Sequence, residues 1–355
     1  MSERLLEVRD LRVSFATRQG TVRAVRGVSF HVGAGEILGF VGESGSGKSV
    51  SVLSCMGLLA RNGRIDGGSI LFEGKELSPV FLTTREQQQQ RENELRRLRG
   101  GRIGMIFQDP MTYINPVLTI GTQLTEGMRA HKSLSRKEAR ARAVELMRLV
   151  EIPDPERRMR QYPYEFSGGM RQRILIAAAL SCDPKLLIAD EPTTALDVTV
   201  QAQILDLIRR RAREAGTAVI LITHDLGVVA SLCDRIAILY GGKIAETGTT
   251  DDIFYRAKHP YTRGLLLSVA ARRADSAGAG GYLPSISGSP PDLLRINSGC
   301  PFAARCDSAM KICRDYMPVR RTFGKGHSAS CWLYCRDSAA EIAAVQDRKR
   351  GDARV

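Results

Sequence analysis

The stretch Gly42-Glu43-Ser44-Gly45-Ser46-Gly47-Lys48-Ser49 decides how this sequence is interpreted. It follows the apolar run 36–41, which predicts a buried strand, and it precedes a helical pattern from residue 48 to about residue 59. Glycines let backbone N–H groups close around phosphate oxygens, and the start of a helix adds partial positive charge. We therefore expect a phosphate-binding loop in which Lys48 reaches the terminal phosphates and Ser49 binds Mg²⁺.

A second motif, Leu186-Leu-Ile-Ala-Asp190-Glu191, places two carboxylates directly after four apolar residues. At the end of a buried strand, Asp190 is placed to hold Mg²⁺ through water and Glu191 to polarise an attacking water. Taken alone, a strand that ends in Asp-Glu is common, and its acid could simply cap a helix. Together with the phosphate loop, it indicates a nucleoside triphosphatase.

The remaining patterns predict a mainly parallel α/β sheet, because apolar strands alternate with helices. Strands are predicted for residues 5–15, 27–32, 186–189 and 218–223, and helices for residues 135–150 and 199–214. Residues 81–102 are polar and form either a surface loop or a helix. Residues 272–291 are rich in Ala, Gly, Ser and Pro, which is typical of a linker. The chain shows no internal duplication.

Composition excludes several classes of protein. With 355 residues, 43% hydrophobic and 25% charged, the chain is globular, about two domains long, and neither fibrous nor disordered. No apolar run reaches the ~18–20 residues that span a bilayer, and charges occupy the N-terminus where a signal peptide would be apolar. The net charge of +14 is compatible with nucleic acid, anionic lipid or a dispersed solvated surface. We favour the dispersed surface, because acidic residues interleave the basic ones.

Three further features narrow the class. Ser167-Gly168-Gly169-Met170 precedes an apolar helical run, so it offers a second anion-binding helix start that lacks a lysine. Gln108 follows one predicted strand, and His224 follows another. Each is unremarkable alone, and a single His after a strand is most often structural.

In this order and spacing, the motifs resemble the ATP-binding subunit of ABC transporters, over about residues 5–265. The resemblance implies a RecA-like P-loop NTPase core with an antiparallel β subdomain and a helical subdomain at about residues 112–182. Because every catalytic position is filled, we expect an active ATPase.

The resemblance also implies roles for individual residues. Phe15 would stack on adenine, and residues 42–50, from Gly42 to Val50, would bind the nucleotide. Gln108 would sense Mg²⁺ and the γ-phosphate, and His224 would hold that phosphate beside Glu191. The catalytic residues implied are therefore Glu191, His224 and Lys48, and the Mg²⁺ ligands are Ser49, Gln108 and Asp190.

The resemblance implies a second ATPase subunit as partner. In this family Ser167, Gly168, Gly169 and Met170 cap the nucleotide that the partner subunit holds, and Asp197 communicates across the dimer. The family needs two such subunits head to tail, and a heterodimer with a sister ATPase is favoured. Met170, in place of the commoner Gln, and the segments 106–116, 258–263 and 288–291 resemble the ATPases of oligopeptide/dipeptide importers.

An importer subunit of this kind would lie on the cytoplasmic face of the inner membrane. It would contact two transmembrane permease subunits and, indirectly, an extracytoplasmic substrate-binding protein, with no nucleic acid as partner. Two alternatives stay open: a soluble ABC ATPase that acts on nucleic acid or ribosomes, and an importer of nickel or small cationic solutes. The expected division is an ATP-binding domain at 1–265, an extension at 266–335 and a charged tail at 336–355.

Eight cysteines fall into two groups. Cys55, Cys182 and Cys233 lie in apolar surroundings and are expected to pack as small hydrophobes. The others follow the predicted linker, at Cys300, Cys306, Cys313, Cys331 and Cys335. The first four of these resemble the C-terminal extension of peptide-importer ATPases. Four thiolates suit a [4Fe–4S] cluster, which the resemblance favours, or Zn²⁺, although unmetallated thiols are also compatible with the spacing. Cys335 is either a bystander or an alternative ligand.

Overall fold

The computed structural model describes residues 4–193, 197–276, 286–296 and 298–335. The strands are β1 (Arg4–Thr17), β2 (Gly20–Gly33), β3 (Ile37–Val41), β4 (Gly63–Phe72), β5 (Lys75–Glu76), β6 (Ile103–Ile106), β7 (Leu186–Asp190), β8 (Ala218–Ile222), β9 (Arg235–Tyr240), β10 (Lys243–Thr249), β11 (Arg320–Thr322) and β12 (Ser328–Ser330). The helices are α1 (Lys48–Cys55), α2 (Arg85–Leu98), α3 (Pro110–Tyr113), α4 (Ile120–His131), α5 (Arg136–Leu149), α6 (Pro155–Arg158), α7 (Gly168–Leu180), α8 (Val198–Ala215), α9 (Leu226–Leu232), α10 (Thr250–Arg256), α11 (Pro260–Ser276) and α12 (Lys311–Asp315).

The main sheet has eight strands in the order β11-β12-β10-β9-β3-β8-β7-β6. From β9 to β6 neighbouring strands run parallel, and β10, β12 and β11 add an antiparallel edge. Every residue of β3, β7 and β8 is buried, because helices or the second sheet cover both faces. The predicted α/β fold with a mainly parallel sheet is therefore confirmed.

A second, antiparallel sheet has the order β2-β1-β4-β5. Its apolar face shares a core with β3 and α1, where Val8, Val28 and Ile70 pack with Phe40 and Val52. The strand predicted at 27–32 is only part of β2, which begins at residue 20. This packing places the β1–β2 hairpin against the start of α1.

The helices between β6 and β7 form their own layer, and they join the main core through buried side chains such as Met128, Ala143 and Met147. A capping box between Ser135 and Glu138 begins α5, as the pattern at 135–150 predicts. A second capping box begins α2, so the polar segment 81–102 is mostly helical rather than a loop. Helix α1 ends at residue 55, earlier than predicted.

The C-terminal segment extends the main sheet. Strand β12 pairs with β10, and β11 pairs with β12. Within this edge, His327 Nε2 lies 2.8 Å from the fully buried Glu246 Oε1. The linker prediction is wrong for residues 272–276, which form the last part of helix α11. Residues 277–285 and the charged tail from 336 lie outside the described residues.

The three isolated cysteines are buried, as predicted: Cys55, Cys182 and Cys233 are 0%, 4% and 7% exposed. Burial also raises the pKa of the Cys182 thiol, which keeps it protonated. In the part of the chain that the structure describes, no helix is both long and apolar enough to span a membrane.

Candidate functional site

The loop of residues 42–49 joins β3 to α1 and requires glycine at two positions. Gly42 has φ 155°, and a Cβ there would lie 2.2 Å from the carbonyl oxygen of Leu239. Gly47 has φ 97°, and a Cβ there would lie 2.6 Å from the carbonyl oxygen of Ala24. Real Cβ atoms do not approach backbone so closely, so the loop keeps this path only with glycine at both positions.

Lys48 folds back over the loop. Its Nζ donates hydrogen bonds to the carbonyl oxygens of Gly42 at 2.8 Å and Glu43 at 2.9 Å. Burial lowers the pKa of Lys48, and the carboxylates of Glu191, Asp190 and Glu43 oppose that shift. The ammonium group therefore rests on carbonyls that phosphate oxygens can replace, and it faces the acidic end of β7.

Ser49 and Asp190 meet across the loop. The Ser49 hydroxyl donates a hydrogen bond to the Asp190 carboxylate, which lies at the buried end of β7. Burial raises the pKa of Asp190, and the hydrogen bond from Ser49 and the charge of Lys48 oppose that rise. A hydroxyl and a carboxylate are the hard oxygen ligands that Mg²⁺ prefers, so these two residues fit a magnesium site.

Glu191 is held between two other predicted site residues. Its Oε2 accepts a hydrogen bond from Gln108 Nε2 at 3.0 Å, and its Oε1 lies 3.1 Å from His224 Nδ1. Its backbone has φ 47°, and its N–H donates to the carbonyl of Ile222 at 2.9 Å. The Glu191 side chain is only 16% exposed, whereas that of His224 is 66% exposed.

Topology explains why these three side chains meet. Gln108, Glu191 and His224 follow β6, β7 and β8, which are parallel neighbours in the main sheet. The carboxyl ends of parallel strands lie at one edge, where open α/β sheets bind their ligands. The phosphate loop follows β3 at the same edge.

The structure does not bring all predicted residues to the loop. Ser167 caps α7 by accepting a hydrogen bond from Met170 N–H at 3.3 Å, and this helix start is largely exposed. Gly168 and Gly169 are the first two residues of that helix. Among the described residues, no hydrogen bond joins positions 167–170 to positions 42–49.

The remaining predicted site residues, Phe15, Asp197 and Val50, lie on three different strands and helices. Half-buried Phe15 lies in β1, with its ring against Gly63 of the neighbouring strand. Asp197 caps α8 by accepting a hydrogen bond from Val200 N–H at 3.0 Å. Val50 lies in α1 and packs on the second core.

Sequence reasoning missed the residues that hold Glu43. The Glu43 N–H donates to Tyr261 Oη at 3.0 Å, and Arg305 Nη1 lies 2.7 Å from Glu43 Oε2. These partners are 218 and 262 positions away along the chain. Nothing in the local pattern pairs residues so far apart, although both lie in segments that the sequence analysis marked as typical of peptide importers.

The four predicted metal-binding cysteines are neighbours. Burial is the main cause that raises the pKa of the Cys300 thiol to about 12. The nearby thiol groups of Cys313, Cys331 and Cys306 raise this pKa further. Burial likewise raises the pKa of Cys331 to about 11. Within the described ranges, no group of three or more His, Cys, Asp or Glu side chains is arranged to hold a metal ion. The structure therefore does not support the predicted cluster in the described residues.

A parallel sheet with a glycine-rich loop and an acidic strand end at one edge defines the chain as a P-loop nucleoside triphosphatase. Residues 25–194 match the family model described as ABC transporter, and residues 245–313 match the model described as oligopeptide/dipeptide transporter, C-terminal region. The chain belongs to the ABC transporter family, as one of its ATP-hydrolysing subunits.

Relatives match almost the whole chain. The dipeptide transport ATP-binding protein DppD of Bacillus subtilis (strain 168) is 51% identical over 99% of both chains. The oligopeptide transport ATP-binding protein OppD of Salmonella typhimurium is 52% identical over 92% of this chain and 93% of its own length.

Solved structures support the same fold. A dimeric post-hydrolysis state of an ATP-binding cassette bound to ADP and Pi has a TM-score of 0.61 and 26% identity, covering 69% of this chain and 98% of its own. The structure of an ATP-binding subunit of an ABC transporter has a TM-score of 0.57 and 29% identity, covering 71% and 92%.

We expect Gly47→Ala to weaken Mg-ATP binding by at least about tenfold, which is about 1.4 kcal/mol. The added Cβ meets the Ala24 carbonyl and disfavours φ 97°, so the N–H groups of the loop shift away from the phosphates. Titration of a fluorescent ATP analogue measures the change. Gly324→Ala is the matched control, since its Cβ meets nothing within 4 Å. Equal affinity in Gly47→Ala and Gly324→Ala would contradict the assigned constraint.

Proposed function

We propose that this chain is the ATP-hydrolysing subunit of an importer of dipeptides and oligopeptides. The observation that carries the ATPase mechanism is the placement of Glu191 between Gln108 and His224, beside the phosphate loop. The substrate class is supported by relatives at about 50% identity that are named for dipeptide and oligopeptide transport.

In this proposal, the loop of residues 42–49 binds the phosphates of the nucleotide. Phosphate oxygens would accept hydrogen bonds from backbone N–H groups where the loop enters α1, and Lys48 would exchange its two carbonyl partners for the terminal phosphates. Ser49 and Asp190 would hold Mg²⁺, directly or through water. When bound, the ion neutralises charge on the transferring phosphoryl group.

Glu191 would act on water. The Glu191 side chain is 16% exposed, so its carboxylate can accept a proton from a water that attacks the γ-phosphate. Gln108 fixes one carboxylate oxygen through its amide N–H, and His224 lies at the other. The exposed face of His224 is then available to the γ-phosphate.

A second subunit would complete the site. The exposed helix start at Ser167–Met170 carries N–H groups suited to phosphate, yet it has no hydrogen bond to the loop of its own chain in the described residues. A head-to-tail pair would place it over the partner's nucleotide, with Asp197 at the junction and Phe15 against adenine. One structural relative is itself a dimer bound to ADP and Pi.

We further propose the partners and the location. The second ATPase is a sister chain, two permease subunits anchor the pair, and a substrate-binding protein delivers peptide from outside. The ATPase pair is then peripheral, on the cytoplasmic face of the inner membrane. The proposed domain division falls at residues 265 and 335, and helix α11 continues across position 265.

Glu191→Gln should keep Mg-ATP affinity within about twofold and lower hydrolysis by roughly 100-fold or more, because the amide cannot accept the proton. Lys48→Ala should instead lose nucleotide affinity. Phosphate release and nucleotide titration on the same preparations separate the two effects. Glu214→Gln, a change on the exposed surface, is the control. Substantial hydrolysis by Glu191→Gln would assign the proton acceptor elsewhere.

Affinity purification of the tagged full-length chain from detergent-solubilised membranes should recover two polytopic subunits and a second ATPase. Mass spectrometry identifies the co-eluting chains, and a co-purifying binding protein defines the cargo. Lys48→Ala, purified in parallel, should retain the same partners, because it changes the nucleotide loop alone. Recovery of ribosomal proteins or nucleic acid without membrane subunits would refute the transport proposal.

The metal proposal for Cys300, Cys306, Cys313 and Cys331 rests on four thiols that lie near one another. Binding a [4Fe–4S] cluster or Zn²⁺ requires loss of their protons and closer approach than the described arrangement has. Anaerobically purified protein should contain iron, or zinc, which Cys300→Ser removes together with several degrees of thermal stability. Cys182→Ala is the control. Metal content and stability unchanged by Cys300→Ser would contradict the proposal.

A further inference from the structure

We propose that Arg305, in the C-terminal extension, is a positioning residue for the phosphate loop: it holds Glu43 in place and so sets the affinity of the loop for nucleotide. This inference rests on the proposed nucleotide site. It concerns the other side of the loop, which faces the extension and not the sheet edge where hydrolysis is proposed.

The Arg305 side chain is 7% exposed, and each of its nitrogens has a partner. Its Nη1 lies 2.7 Å from Glu43 Oε2 and 3.0 Å from Tyr240 Oη. Its Nε donates to the carbonyl oxygen of Ser287 at 2.8 Å, and Nη2 donates to that of Ile286 at 3.0 Å. A guanidinium held at four points has one orientation, so it fixes the carboxylate that it contacts.

Glu43 in turn is part of the loop itself. Its side chain contacts Arg305, its N–H donates to Tyr261 Oη at 3.0 Å, and its carbonyl accepts from Lys48 Nζ at 2.9 Å. When Lys48 moves to a phosphate, Glu43 loses the third of these contacts. Arg305 and Tyr261 then keep residue 43 where it is, so the neighbouring N–H groups stay aimed at the ligand.

The extension also covers the outside of the loop. A cavity of about 110 Å³ separates residues 43–46 from Pro290, Pro291 and Leu293 of the extension. Beside it, a Cβ on Gly241 would lie 2.7 Å from Pro301 Cβ, so the two surfaces are in close contact. The small gap leaves room for residue 43 to move outward when Arg305 is removed, and the ion pair prevents that movement in the intact chain.

The test compares Mg-ATP affinity in full-length variants. Arg305→Ala and Glu43→Gln should each raise the dissociation constant about tenfold, because removing one charge of this partly buried pair leaves the other charge poorly satisfied. The double variant should be no weaker than the worse single variant, since both changes break the same contact. Arg305→Lys should recover part of the affinity, because the ammonium group keeps the positive charge but lacks the planar set of N–H donors of a guanidinium.

Arg314→Ala is the matched control, since it removes an exposed arginine of the same extension. Its affinity and melting temperature should equal those of the wild type. If Arg305→Ala does not fold, the affinity of the Glu43→Gln variant tests the proposal by itself, because this substitution leaves the extension unchanged.

Three outcomes overturn the proposal. Unchanged affinity in Glu43→Gln refutes it, and so does an equal loss in Arg314→Ala. Strict additivity in the double variant also refutes it, because the two residues would then act independently. A wild-type chain that binds no Mg-ATP would refute the nucleotide site itself, and thus separates that failure from a failure of the Arg305 contact.

Discussion

Close backbone packing at Gly42 and Gly47 is the constraint on which the site depends. One glycine faces the Leu239 carbonyl of the main sheet, and the other faces the Ala24 carbonyl of the second sheet. The loop is therefore wedged where the two sheets meet, and any residue with a side chain would force them apart. Because the loop is held in this way, α1 begins at Lys48 directly after Gly47, and the first N–H groups of a helix are suited to bind an anion.

The parallel order of β3, β8, β7 and β6 then determines which side chains can reach that point. Asp190 lies at the end of β7, and Gln108, Glu191 and His224 lie just beyond the ends of three strands. The site needs no long loops to assemble, because adjacent strands deliver adjacent residues. The start of α7 in the helical layer between β6 and β7 makes no hydrogen bond to residues 42–49 among the described residues, which is compatible with the proposed site shared between two chains.

Much of this architecture could be predicted from the sequence, because it depends on local patterns. The buried strands at 186–189 and 218–223 and the loop at 42–49 are set by short apolar runs and glycines. They lie close together because the carboxyl ends of parallel strands meet at one edge of the sheet.

The contacts of Glu43 could not be predicted, since Tyr261 and Arg305 are remote in sequence and the local pattern does not pair them. The helix over 272–276 was missed because alanines and small residues are as compatible with a linker as with a helix. The four clustered thiols were anticipated as neighbours, but metal-ligand geometry depends on distances that spacing alone does not determine.

The separation between Glu43 and Arg305 has a consequence for how the protein is made. Arg305 follows Glu43 by 262 positions, so at about 5–20 residues per second the ribosome adds it roughly 13–50 s later. During that interval the phosphate loop exists without its outer support, and β10 lacks β12 as a neighbour. A nascent chain therefore contains the complete glycine-rich loop well before it contains Arg305, the residue that contacts Glu43 from outside the loop. If Arg305 acts as proposed, completion of the C-terminal segment is the step that gives the loop its outer support, and unfinished chains would bind nucleotide less tightly.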